Sequence, residues 1–259
     1  MMRRFGLRDD QWERIKDLLP GREGSVGVTA ADNRLFVEAV LYRYRTGMPW
    51  RDLPERFGDG VQVHRRFSRW AKSGVWERVF QYLAADADNE YAMIDSTILG
   101  SSPRTRAHQH SAGAKKKAGE DQAIGRSRGG LSTKIHTLVD ALGNPLGFFL
   151  TGGEAHDLVG ADQLLPTMEA DMLIADKAFD ADARVLEPLA AAGKNAVIPP
   201  RANRSSLRDY DRQLYGERHL IENFFAKIKQ FRAIATRYEK TARNFLAAVH
   251  LVASVIWLN

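Results

Sequence analysis

Residues 92–99, AMIDSTIL, mark the point at which the pattern of the chain changes. Before them apolar residues recur at helical spacing; here β-branched and apolar residues crowd together, as in a strand. Four further stretches behave in the same way. STKIHTLVD (132–140) alternates, GNPLGFFLTG (143–152) begins at a turn signal and reads as its hairpin partner, and MLIAD (172–176) is a continuous apolar run suited to a strand buried on both faces. NAVIPP (195–200) is another, shorter one. Helical stretches opened by Asp157 and Asp180 lie between them. The expected fold class is therefore α/β, a mixed sheet with helices on its faces.

Upstream of this point, residues 1–85 read as helical. Asp9 or Asp10 is placed to cap a helix over QWERIKDLL, and Asp32 to open a longer one over RLFVEAVLYRYR that Gly47 ends. WRDLPERF (50–57) and VQVHRRFSRWAKS (61–73) follow as two short helices set apart by Gly58 and Gly60. In the second, Val63, Phe67 and Trp70 share one face, while His64, Arg65, Arg69 and Lys72 lie elsewhere. That is the outline of a helix-turn-helix unit, and residues 1–85 are expected to bind DNA; a surface helix with solvated arginines would show the same pattern. Residues 90–259 form the second expected domain. It carries a basic, Gly- and Ser-containing insert at about 100–130, including Lys115, Lys116, Lys117, Arg126 and Arg128, read as an arm that orders on DNA, with a disordered insert as the alternative.

Composition narrows the function. The 259 residues include 44% hydrophobic ones, enough for a sizeable core, and a net charge of +6 favours polyanionic partners. The absence of cysteine excludes disulfides, thiolate nucleophiles and cysteine-based zinc sites, so any metal must rest on carboxylates or histidines. The start of the chain, MMRRFGLRDDQW, has no apolar signal region behind it, and FLAAVHLVASVIW is too short to span a membrane. The expectation is a cytoplasmic protein without membrane contact, with that last stretch as a core helix.

Three carboxylates stand out. Asp95 interrupts the strand at 92–99, where a charge is costly unless paired or coordinated, and Asp176 closes MLIAD at the end of a strand where ligands of open α/β sheets gather. Either alone is also explained as a turn or cap residue. Glu222 lies in YGERHLIENFFAKIKQF (215–231). Projected as one helix, Leu220, Phe224, Ile228 and Phe231 make a core stripe flanked by Ile221 and Phe225, and Tyr215, Arg218, Glu222 and Lys229 share the polar face. Asp180 reads as a helix cap, and His136 and His156 as possible neighbours of a site.

The order Tyr215, two residues, Arg218, three residues, Glu222, six residues, Lys229 resembles the Y-(2)-R-(3)-E-(6)-K signature of transposases of insertion sequences in the IS4 and IS5 groups. With IDST around Asp95 and ADKAFD around Asp176, the three acids are similar to the DDE triad of that family. DQWERIKDLLP, TGMPWRDLPERFG, RRFSRWAKSGVWERVF, STKIHTLVDALGNPLGFFLTGGEAHD and VIPPRANR also resemble stretches of IS5-group transposases, so the likeness covers nearly the whole chain.

The resemblance implies a ribonuclease H-like domain with Asp95 on the first strand, Asp176 on the fourth and Glu222 on the helix after the fifth. It also implies that Tyr215, Arg218 and Lys229 contact the transposon end. The stretch between Asp176 and Glu222 is too short for the large all-β insertion of some relatives. Three hard carboxylate ligands suit two Mg²⁺ ions, for which Mn²⁺ can substitute, and phosphodiester cleavage and transfer. By charge alone, Arg201 and Arg204 are candidates for the DNA backbone. The expected partners are double-stranded DNA, at transposon-end inverted repeats and target, and further copies of the chain in a dimer or higher oligomer. An inactive DNA-binding regulator and a ribonuclease H-like nuclease without strand transfer are the alternatives.

Overall fold

The computed structural model describes residues 5–21, 32–103, 105, 122–204 and 208–259. Its longer helices are α1 (Asp9–Ile15), α2 (Asn33–Thr46), α3 (Gly60–Lys72), α4 (Val75–Ala84), α5 (Leu158–Leu164), α6 (Glu187–Ala191), α7 (Arg212–Gly216), α8 (His219–Lys229), α9 (Arg232–Ala235) and α10 (Ala242–Trp257). The strands that concern the site are β1 (Ala92–Ser101), β2 (Gly125–Ser127), β3 (Gly130–Val139), β4 (Pro145–Gly152), β5 (Met172–Ala175) and β6 (Asn195–Val197).

Two compact units result. One joins Met1–Ala85, Ser102–Gln122 and Ile228–Asn259; the other joins Asp86–Ser101 and Ala123–Lys227. The linear division at 85–90 expected from the sequence thus differs from the packing, because the C-terminal segment groups with the N-terminal helices. The reason lies in α10, where residues from Asn244 to Ser254 are buried almost without interruption. A helix apolar all round must be surrounded, and α4 and α3 supply part of that surround.

In the first unit, Asp32 opens α2 by accepting from the Leu35 amide at 2.8 Å, and Gly47 ends it at φ 75°, both as expected. The start of α1 differs. Arg8 is its cap residue, with Gln11 accepting from the Arg8 amide, and Asp9 and Asp10 occupy the first turn, where their charge favours the helix dipole. WRDLPERF is not an α-helix but two single 3₁₀ turns, Trp50–Asp52 and Glu55–Phe57, divided by extended Leu53 and Pro54. A proline excludes the helical region for the residue before it, which breaks the segment there. The apolar seam of α3 is as expected, with Val63, Phe67 and Trp70 buried. Phe67, Trp70 and Trp76 join Phe36 in an aromatic core, with the Phe36 and Trp70 rings 5.0 Å apart edge to face. Gly60 is there for space: a Cβ would lie 1.8 Å from the Trp50 carbonyl oxygen.

In the second unit the strands order as β2-β3-β1-β5-β6, with β4 on the other side of β3. β3 pairs antiparallel with β1 and with β4, as expected for the hairpin. The turn is fixed by fully buried Asp140, which accepts from the Leu142 and Asn144 amides at 3.0 and 2.7 Å. β5 runs parallel to β1 and to β6. Leaving aside the short β2, which lies at the end of the expected insert, Asp176 follows the fourth strand and α8 comes after the fifth. This mixed α/β arrangement is the ribonuclease H-like fold class. Leu138, Leu158, Leu164, Leu173, Phe179 and Val185 lie in one buried cluster.

Candidate active site

β1 and β5 pair in parallel register, Ala92 with Leu173, Met93 with Ile174 and Ile94 with Ala175. The next position on each strand path is an aspartate, Asp95 and Asp176. Strand pairing therefore brings together two residues far apart in the chain. The side chain of Asp176 turns back to accept from the Ala178 amide at 2.7 Å, starting a 3₁₀ turn. Asp95 Oδ1 accepts from the Ser96 amide at 2.7 Å, while its other oxygen accepts from Arg218 Nη2 at 2.6 Å. The same Arg218 nitrogen lies 3.5 Å from Glu222 Oε1. Burial pushes the Asp95 carboxyl above its ordinary range; the Arg218 and Ser96 bonds oppose this, and the Asp176 charge adds to it.

The helix expected over 215–231 is broken. α7 ends at Gly216, Glu217 and Arg218 form a turn, and α8 begins at His219 and ends at Lys229, before Phe231. Arg218 is thus not on the polar face of a continuous helix with Glu222; it projects from the turn before it. The break gives Arg218 a direction that helical geometry would deny, and its side chain is only 17% exposed while that of Glu222 is 63% exposed. The buried stripe also shifts by one position at its start: Ile221 is buried and Leu220 half-buried, and Phe224, Phe225, Ile228 and Phe231 are buried as expected. Tyr215 lies edge to face with Tyr210 at 5.6 Å, and Lys229 is exposed.

The other candidates separate into exposed and structural groups. Arg65, Arg69, Arg126 and Arg128 are exposed. His64 is half-buried, its ring 5.2 Å from that of Trp50, and burial lowers its pKa. Lys115, Lys116 and Lys117 lie outside the described residues.

Arg201 and Arg204 are held by the protein itself. The Arg201 side chain donates to the Lys177 and Ala178 carbonyls at 3.1 and 2.7 Å. Asp180 ends the 3₁₀ turn Lys177–Phe179 rather than opening the next helical segment, whose cap position is Ala181, and it takes no part in the Asp95–Arg218–Glu222 contact. It is buried and accepts from the Arg201 amide at 2.8 Å, Arg204 Nε at 2.5 Å and Arg208 Nη2 at 2.6 Å. Burial pushes its carboxyl up, but the arginine bonds outweigh that and hold it below its ordinary range.

His136 is a core residue. Its Nε2 is 2.9 Å from Thr151 Oγ1, Gly160 leaves space for the ring, and burial lowers its pKa to about 4. His156 Nδ1 accepts from the Leu158 amide at 3.2 Å at the start of α5. Sequence reasoning missed the neighbouring Lys134 and Asp157. Lys134 Nζ donates to Asp157 Oδ1 at 2.8 Å, and Ser96 Oγ to the same oxygen at 2.6 Å. Asp157, expected as a cap, makes no cap hydrogen bond.

Among the described residues no group of three or more acids and histidines is arranged to hold a metal ion. The donors nevertheless suit a hard cation. Two carboxylate oxygens converge on one positively charged nitrogen, with Asp176 next in register to Asp95. In this arrangement Arg218 supplies the cation.

Residues 92–257 match the family described as "Transposase DDE domain", and residues 7–80 match "Putative transposase of IS4/5 family". The chain belongs to the DDE transposases of the IS4/IS5 type. Its relatives include the "Putative transposase for insertion sequence element IS6501" of Brucella ovis, 42% identical over 49% of this chain and 99% of that protein. "Uncharacterized protein y4sN" of Sinorhizobium fredii is 49% identical over 44% of this transposase and 86% of its own length. "Insertion element IS402 uncharacterized 16.2 kDa protein" of Burkholderia cepacia is 33% identical over 46% and 83% respectively. No solved structure matches. Membership of the family makes this a DNA-cleaving and DNA-transferring enzyme of the divalent-metal-dependent kind. Among the described residues no helix is long and apolar enough to cross a membrane.

Proposed function

We propose that this transposase binds the terminal inverted repeats of its own insertion sequence and cuts and rejoins DNA with Asp95, Asp176 and Glu222 as metal ligands. The observation that carries the reading is the meeting of Asp95 and Glu222 on Arg218, with Asp176 beside Asp95 at the ends of β1 and β5. Two Mg²⁺ or Mn²⁺ ions held by these carboxylates would activate an attacking oxygen and stabilise the leaving one in an in-line displacement at phosphorus. Arg218, once released from Asp95, is long enough to hold a DNA phosphate beside the acids, with Tyr215 and Lys229 as further contacts to the transposon end. Arg65 and Arg69 on α3 are the proposed readers of the repeat, with Arg126 and Arg128 as backbone contacts. The structural bonds of Arg201 and Arg204 favour a positioning role for them over a direct DNA contact. Joining two ends requires two active sites, so the working form is a dimer or larger on DNA.

The test incubates the protein with labelled end DNA, target DNA and Mg²⁺. Joined products are expected from the wild type, and neither cleavage nor joining from Asp95→Asn, Asp176→Asn or Glu222→Gln, each of which should still bind ends. Cleavage without joining would support a nuclease, and binding without cleavage a regulator. Wild-type cleavage by any of the three variants would overturn the assignment of the acids.

A further inference from the structure

β5 and β6 run parallel, with Ile174 opposite Val197, so the segments that follow them leave the sheet at the same end. After β5 comes the 3₁₀ turn Lys177–Phe179, entered through Asp176; after β6 comes the stretch Ile198, Pro199, Pro200, Arg201. A single 3₁₀ turn has poor hydrogen-bond geometry and little stability of its own. The direction of the Asp176 carboxylate nevertheless depends on this one, because the Ala178 amide donates to its Oδ1 at 2.7 Å. Whatever fixes the turn therefore fixes that carboxylate.

Arg201 spans the turn from outside. Its Nε donates to the Lys177 carbonyl at 3.1 Å and its Nη2 to the Ala178 carbonyl at 2.7 Å. A planar guanidinium fork can bridge two successive carbonyls in this way, and its charge strengthens both bonds; a point-like ammonium cannot reproduce the pair. The link also closes in the other direction. Asp180, the residue directly after the turn, accepts from the Arg201 amide at 2.8 Å, and its fully buried carboxylate is fastened in turn by Arg204 and Arg208. The prolines at 199 and 200 restrict the path that brings Arg201 there, and buried Phe179 anchors the end of the turn in the core.

We propose that Arg201 is a positioning residue for Asp176. Through the two carbonyls it fixes the turn, and through the Ala178 amide the turn fixes the direction in which Asp176 presents its free oxygen to a divalent ion. Arg201 touches neither the ion nor DNA. The proposal rests on the assignment of Asp176 as a metal ligand above. Partners that orient a metal ligand are worth about 10- to 100-fold in affinity, and Arg201, acting one step further back through the main chain, belongs at the low end, about 10-fold.

The experiment compares the full-length wild type with Arg201→Gln, Arg201→Lys and a control, Arg184→Gln, which removes an arginine paired with Asp162 on the surface. Hydrogen–deuterium exchange in chelator should quicken in Arg201→Gln over the peptide Asp176–Asp180 and stay as in the wild type over β1 and β3. Calorimetric titration of the same variant with Mn²⁺ should show the affinity lowered by about 10-fold. Its affinity for end DNA and the salt slope should not change. Arg201→Lys should fall between, and Arg184→Gln should match the wild type throughout. Local exchange or Mn²⁺ affinity equal to wild type in Arg201→Gln, or in Arg201→Lys if the first does not fold, would overturn the proposal. Faster exchange across the whole unit would do the same, since it marks a residue that only stabilises the fold. So would weaker end binding with Mn²⁺ affinity intact, the mark of a DNA contact. If Asp176→Asn keeps wild-type Mn²⁺ affinity, it is the assignment of the acids that fails, and the proposal with it.

Discussion

Replacing Arg218 by Gln should loosen the acid cluster and tighten its hold on divalent ions. The Arg218 Nη2 to Asp95 Oδ2 distance is 2.6 Å, and the two side chains are 17% and 19% exposed. Unit charges about 4 Å apart attract by about 4 kcal/mol at an effective dielectric of about 20. Losing one partner of a buried pair costs about 3–5 kcal/mol. Partial exposure reduces this, and about 2 kcal/mol is the reasonable figure for the metal-free protein. The contact with the exposed Glu222 adds little. An ion that takes the same oxygens must displace Arg218. Without that competitor its affinity should rise by up to the same ~2 kcal/mol, about 30-fold. Calorimetric titration with Mn²⁺ measures the affinity, and melting in chelator against melting in Mn²⁺ measures the two stabilities. The Gln variant should melt lower in chelator and gain more from the ion; Arg218→Lys should fall between. Asp95→Asn in either background should remove the heat signal, which ties it to this site. Unchanged or weaker ion affinity in Arg218→Gln would refute the view that Arg218 stands where a metal would.

Three further outcomes follow from individual contacts. Arg65→Ala with Arg69→Ala should weaken end binding and reduce its salt slope by about one per lost phosphate contact, with melting unchanged because both are exposed; unaltered affinity would remove α3 as the reader. Asp180→Asn should destabilise the fold by about 3 kcal/mol in urea titration, since it leaves Arg204 and Arg208 facing one neutral amide, and an unshifted midpoint would refute this. His250, stacked on Phe80 at 5.1 Å, has its pKa lowered by burial to about 4. The unfolded chain therefore binds its proton first, and stability falls as pH drops from about 6.5 through 4. His250→Phe should remove roughly 3 kcal/mol of that acid loss, leaving the similar loss from His136. Identical acid unfolding of variant and wild type would contradict it.

What the sequence made legible was periodic or local. β3, β4 and β5 follow from alternation or apolar runs, and α2 from its Asp32 cap and Gly47 stop, because each signal lies within a few residues of the structure it sets. The failures have a common cause. In β3, alternation would turn Lys134 and His136 outward, yet both faces of the strand are covered and both residues are buried. Lys134 meets Asp157 some twenty residues away, and spacing along the chain gives no sign of that pairing. Likewise Arg201 and Arg204 look like free cations until Asp180 is seen to be buried among them. A charge pattern gives the sign of a surface only when the opposite charge is not folded beneath it.

The same reasoning separates what the signature spacing and the sheet each contribute to the site. Tyr215, Arg218, Glu222 and Lys229 are neighbours in sequence, and a continuous helix would have tied Arg218 to Glu222 alone, as a weak i, i+4 pair. The turn at Glu217–Arg218 redirects the arginine to Asp95, which is 123 positions away and held in place by the pairing of β1 with β3 and β5. The strong contact is thus the non-local one, and the local one is secondary. An arginine so placed neutralises Asp95 while the protein is free of ions. On the reading proposed above, exchange of Asp95 between Arg218 and a metal would couple ion entry to the release of a side chain able to hold a phosphate.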